Sequence, residues 1–97
     1  MSKQQKKFKK WKNNPPVEAG VDEVKSLIKA YFGKENLKEP GGSHMIVTHE
    51  KLKGLKDYGQ KGEFGIPVKG GQKVKGFYIK DLIKAIDIII EDIEESK

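Results

Sequence analysis

The chain contains no cysteine, so the side chains able to do chemistry are two histidines, a neighbouring serine, scattered carboxylates and many lysines. His44 follows Pro40-Gly41-Gly42-Ser43, which sets it at the start of an extended segment just after a tight turn. Consecutive glycines leave backbone amides bare and approachable, an arrangement that suits a phosphate. An imidazole is the side chain best suited to exchanging protons near neutral pH. A phosphate-friendly turn, an imidazole and lysines are the ingredients for cleaving RNA. A base takes the proton of a ribose 2′-OH, the oxygen attacks the adjacent phosphorus, and cations stabilise the charge that builds on the phosphoryl oxygens. The plainer reading is a histidine with a structural role. No P-loop and no HExxH pattern competes, and two histidines are short of a metal ligand set.

His49 lies five residues further on. Side chains of a strand alternate between its faces, so an odd separation puts the two histidines on opposite sides. His49 is therefore expected at the strand's exit, beside a loop, and not as a direct partner of His44. The same parity groups Ile46 and Thr48 with His44 and sets Met45 and Val47 against them. Which set faces the interior stays open.

The formal charge is +6 and all 20 basic residues are lysine, so phosphate contacts would be made by mobile point charges and not by bidentate forks. Residues 1–14 hold six lysines and no acid, which leaves the remainder neutral. Residues 34–80 carry ten lysines and five acids, whereas the segment after Ala85 is acidic (Asp87, Glu91, Asp92, Glu94, Glu95). A basic middle beside an acidic tail suggests one face that meets a polyanion. The alternative is a solvated, lysine-rich surface.

Ninety-seven residues make one domain, or one domain with an arm. The absence of disulfides at this size reads as intracellular, with a cytoplasmic location expected. No apolar run approaches ~18 residues, so no membrane span is expected, and the opening residues lack the apolar stretch of a secretory signal.

The elements that must position His44 follow from periodicity. Residues 3–12 are expected to form a short basic helix with Phe8 and Trp11 on one face, ended by Asn13-Asn14-Pro15-Pro16. The favoured reading staples this helix to the domain through its two aromatics, and the other makes it an RNA-contacting arm. The division is thus a basic arm or short helix over 1–14 and a domain over 15–97. Val21, Val24, Leu27, Ile28 and Tyr31 form one apolar stripe of a second helix, with Gly20 as N-cap and Gly33 as a left-handed C′ residue. Strand character follows over 34–39 (weakly), 43–49 and 63–69, with Pro67 at an edge or a strand end. Pro40-Gly41-Gly42 and Gly70-Gly71 are turns, and 50–62 is a loop. Ile79, Leu82, Ile83, Ile86, Ile89, Ile90 and Ile93 make a wide helical stripe that must bury against other elements. The expected architecture is α+β, a two-layer sandwich of a three-stranded antiparallel sheet with two helices on one face, in the order α-β-β-β-α, plus an extra N-terminal helix. The other face of the sheet is left open for a partner.

Gly42-Ser43-His44-Met45-Ile46-Val47-Thr48-His49, placed after an amphipathic helix ending at Gly33 and before Ile66-Pro67-Val68 and the segment Val74-Lys75-Gly76-Phe77-Tyr78-Ile79, resembles the HicA toxins of type II toxin–antitoxin systems, also called the YcfA-like family. Asn13-Asn14-Pro15-Pro16 is similar to the longer members, which carry an extra N-terminal helix. The resemblance covers roughly residues 13–93. It implies a fold like the double-stranded-RNA-binding domain and a ribonuclease without metal or other cofactor that cuts mRNA and halts translation. The catalytic histidine of Gly-Ser-His maps onto His44, and the implied partner is a HicB-type antitoxin covering the active face. Two departures stand out. Lys69 occupies the position after Pro-Val where many members carry a histidine, so the second acid–base group is unassigned, and the 50–62 loop is long and lysine-rich. Gly42, Ser43, Lys69 and Lys73 are the candidate RNA contacts. Two other readings compete: a non-catalytic RNA-binding module using the same open face, and an interaction protein that docks through its isoleucine helix.

Overall fold

The computed structural model describes residues 2–40, 43–70 and 72–95, with side chains described through residue 90. The first element, α1 (Lys3–Asn13), begins at a capping box: the Gln5 N–H donates to Ser2 Oγ at 3.1 Å, and the Ser2 N–H donates to Gln5 Oε1 at 2.9 Å. Two otherwise orphaned amides are thereby satisfied. Its outer side is charged, but Phe8 and Trp11 are buried in the common core. Burial of each such large side chain contributes about 1.5–3 kcal/mol, which holds a strongly basic helix against the body. Strand β1 (Glu18–Gly20) leads directly into α2 (Val21–Phe32). Gly20 caps α2, and Asp22 and Glu23 stand in its first turn, where the helix dipole favours acids.

A single 3-10 turn (Lys34–Asn36) precedes β2 (Leu37–Lys38). Then come β3 (His44–Thr48), a second 3-10 turn (Glu50–Leu52), β4 (Glu63–Pro67), β5 (Lys73–Lys75) and α3 (Gly76–Glu95). Strands β2, β3 and β4 form an antiparallel sheet with β3 in the middle, and β1 pairs with β5 in a separate antiparallel ribbon. The result is a small α+β domain with three helices and antiparallel sheets.

The differences from expectation are local. The strand expected over 34–39 is a 3-10 turn plus two paired residues, because only Leu37 is available to anchor it. The β1–β5 ribbon was not expected. Each strand is three residues long with a single buried side chain, Ala19 or Val74, too short for any period to register. Gly33 does close α2, but with φ 90° and ψ 146°, an extended glycine conformation and not the left-handed helical one. Pro67 ends β4, an edge strand, where its missing N–H is harmless. The turn residues Gly41, Gly42 and Gly71 and the side chains of Glu91, Asp92, Ile93, Glu94 and Glu95 lie outside the described residues.

Val24, Leu27, Ile28 and Phe32 of α2 meet Met45, Val47 and Ile66 of the sheet and Ile79, Leu82, Ile86 and Ile89 of α3 in one buried cluster. The isoleucine stripe is thus covered by the chain's own core from Ile79 to Ile89, and Ile90 is half-buried. Phe77 is the exposed large apolar residue on the described part of α3. No helix among the described residues is long and apolar enough to cross a membrane.

Candidate functional site

The burial pattern of β3 settles which way the strand faces. Met45 and Val47 are buried, Ile46 and Thr48 are half-buried, and His44 is exposed. Cross-strand partners share a face. The register pairs His44 with Pro67, Ile46 with Gly65, Thr48 with Glu63 and, on the other side, Ile46 with Lys38. The face away from the core therefore carries His44, Ile46, Thr48, Lys38, Glu63, Gly65 and Pro67. His44 stands at one end of it, on the central strand.

Gly65 is what makes room for the imidazole. A Cβ built there would lie 3.1 Å from His44 Nε2, closer than an ordinary contact. The ring thus lies diagonally across the bare backbone of β4. Ser43, just before it, is exposed, and its carbonyl accepts the Val68 N–H at 2.9 Å. This bond extends the β3–β4 pairing by one step. Gly42, the other glycine-turn candidate, lies outside the described residues.

The two candidate lysines come together backbone to backbone but differ in engagement. Lys69 and Lys73 close a tight hairpin, with the Lys69 N–H donating to the Lys73 carbonyl at 2.7 Å. Lys73 Nζ is turned to Glu18 Oε1 at 3.1 Å, so this lysine serves the β1–β5 ribbon. Lys69 is exposed and lines a shallow pocket of 260 Å³ with Pro67, Val68, Lys75 and Tyr78. The pocket begins at Pro67, the cross-strand partner of His44. Two ammonium groups, a phenol and an apolar floor can hold a phosphate and the flat face of a base. Lys75, Tyr78, Lys38 and Gly65 were not singled out from sequence. For Lys38 a signal existed, since it alternates with the inward Leu37.

His49 is placed differently. Its ring meets Phe32 edge-on at 5.8 Å. Its Nδ1 accepts the Lys51 N–H at 3.0 Å, capping the 3-10 turn. Its backbone N–H donates to the Gly62 carbonyl at 3.0 Å, closing the 50–62 loop. Partial burial lowers its pKa below 6.5, and the Lys51 charge adds to this, against a smaller opposing effect of Glu50. Gly62 sits at φ 65°, and a side chain there would run into the His49 carbonyl and the Lys53 amide. Both histidines thus lie where strand parity puts them, on opposite sides of β3. Among the described residues no group of three His, Asp or Glu side chains is arranged to hold a metal ion.

No protein-family model, no curated protein and no solved structure matches the chain.

Proposed function

We propose that this chain is a metal-independent endoribonuclease of the HicA toxin kind, that His44 is its catalytic residue, and that it cuts mRNA until a HicB-type antitoxin covers the open face. The observation that carries this reading is the position of His44: an exposed imidazole at the end of the central strand, cleared by Gly65 and next to a lysine-lined pocket. The helix–strand–strand–strand–helix order from α2 to α3 supports a fold like the double-stranded-RNA-binding domain, with the β1–β5 ribbon as an addition.

In the proposed step, neutral His44 takes the proton of a ribose 2′-OH. The 2′-oxygen forms a bond to the adjacent phosphorus, and the bond from phosphorus to the 5′-oxygen breaks. The departing oxygen takes up a proton from solvent water, to which His44 returns the one it took, leaving a 2′,3′-cyclic phosphate and a 5′-hydroxyl. Lys69 and Lys75 would stabilise the charge on the non-bridging oxygens, and Ser43 would position the phosphate.

One observation favours a second reading, an RNA-binding module that does not cut. Glu63 and Lys38 are the other ionisable groups on the open face, and no second imidazole stands near His44. The test is induced expression of the wild-type chain and of His44→Ala in a bacterial culture, with growth and total RNA followed. Growth arrest and mRNA loss with the wild type alone support the nuclease. Equal behaviour of two well-expressed chains overturns it and leaves the binding module.

A further inference from the structure

α1 has two sides of opposite character. Phe8 and Trp11 are 7% and 6% exposed and belong to the core. Phe8 packs on Tyr31 of α2 at 5.4 Å, and Lys12 Nζ pairs with Asp87 of α3 at 2.7 Å. Lys7 Nζ lies 5.6 Å from the Trp11 ring centroid. The remaining arc carries Lys3, Lys6, Lys9 and Lys10, all exposed, on a helix without a single acid. None of the four pairs with a carboxylate among the described residues. Holding like charges this close is unfavourable by itself, and the capping box and the two buried aromatics maintain the array nonetheless.

We infer that the outward lysine face of α1 is a second docking surface, for the phosphate backbone of a nucleic acid, separate from the His44 face. Charge complementarity selects the class of partner. The burial of both aromatics argues against a lipid surface, since an interfacial helix inserts its apolar side into the headgroup region and here that side is occupied by the core. Lys3, Lys6 and Lys10 form a row about 10 Å long at 1.5 Å per residue, which covers about three steps of a duplex measured along its axis at ~3.4 Å per step. The contact reads charge and spacing, not base sequence. Because the core stands between α1 and the open face, a long nucleic acid held at α1 leaves His44 free and raises the local concentration of strand around it. The inference does not depend on the cleavage reading of His44.

The test measures binding of the full chain to a 20-base-pair duplex of 2′-O-methyl RNA, which lacks the hydroxyl nucleophile, as salt is varied. Three chains are compared: wild type, Lys3→Gln/Lys6→Gln/Lys9→Gln/Lys10→Gln, and the same four positions changed to Arg. Gln and Arg keep helix propensity close to that of Lys, and thermal melting verifies that each chain folds. Removing three to four phosphate contacts should reduce the slope of log affinity on log salt by about 3, at ~0.9 per contact, and weaken binding at least tenfold at low salt. The Arg variant should keep the wild-type slope. An unchanged slope in the Gln variant overturns the inference. So does lysine-dependent binding to phosphatidylglycerol vesicles with no change in duplex binding. Measuring cleavage by His44 separately keeps the two proposals distinguishable.

Discussion

The two ends of β3 carry the chain's two histidines, and the strand treats them in opposite ways. At its start His44 is exposed, lies over a glycine and has no hydrogen bond holding its ring among the described residues. At its exit His49 packs on Phe32, caps a 3-10 turn and closes a loop with its backbone. The sequence places them five residues apart in similar chemical company. What separates their roles is the strand's alternation together with where the strand stops. A polar side chain that keeps its lone pairs available to solvent can act on a ligand. One whose nitrogen already accepts a backbone amide is part of the scaffold.

The largest expected effect sharpens this contrast. His44→Ala should lower RNA cleavage by about 10²- to 10⁴-fold, the usual contribution of a positioned acid or base, while leaving the melting temperature nearly unchanged because the site is exposed. The residue beside it should do the reverse. Met45→Ala opens a cavity in a core position only 1% exposed and should cost about 2–5 kcal/mol of stability by urea titration. A His44→Ala chain as unstable as Met45→Ala would mean that the open face is structural.

A smaller effect tests the clearing under the ring. Gly65→Ala puts a methyl 3.1 Å from His44 Nε2. The exposed imidazole can swing aside at little cost in stability, but it leaves its place. A loss of activity on the order of 10- to 100-fold with unchanged melting is expected, as for other misplacements of about 1 Å. Lys69→Ala/Lys75→Ala at the adjacent pocket should weaken RNA binding severalfold and flatten its salt dependence by ~2 for two phosphate contacts.

How much of this was legible beforehand depends on the length of each pattern. The isoleucine spacing of α3 persists over four turns, so its inward face could be read directly. The parity of β3 correctly separated Met45 and Val47 from His44, but parity alone could not say which set was buried. That answer required knowing that α2 and α3 cover the Met45 side. The ribbon of Glu18–Gly20 with Lys73–Lys75 was illegible because three-residue strands with one buried side chain each have no period. Its consequence for the site was therefore also missed: Lys73, read as a phosphate contact, is drawn to Glu18. Gly65, Lys75 and Tyr78 come near the end of β3 only through cross-strand register and the return of the chain into α3, and neither is a local property of the sequence.

The smallest expected effect concerns His49 and the acid side of neutrality. Burial favours its neutral form, so its pKa in the folded chain is lowered from 6.5. In the unfolded chain the imidazole returns to that ordinary value and binds a proton more readily than in the fold. Between the two values the unfolded state holds more protons, so stability falls as pH drops below about 6.5 and levels off once the folded form also protonates. Protonation also removes the lone pair that accepts the Lys51 N–H. His49→Asn retains an acceptor for the cap and cannot titrate. Urea midpoints taken from pH 7.5 down to 5, above the range where most carboxylates titrate (about 3.9–4.3), should decline more for the wild type than for His49→Asn. Parallel curves would mean that His49 is as free at its end of β3 as His44 is at the other.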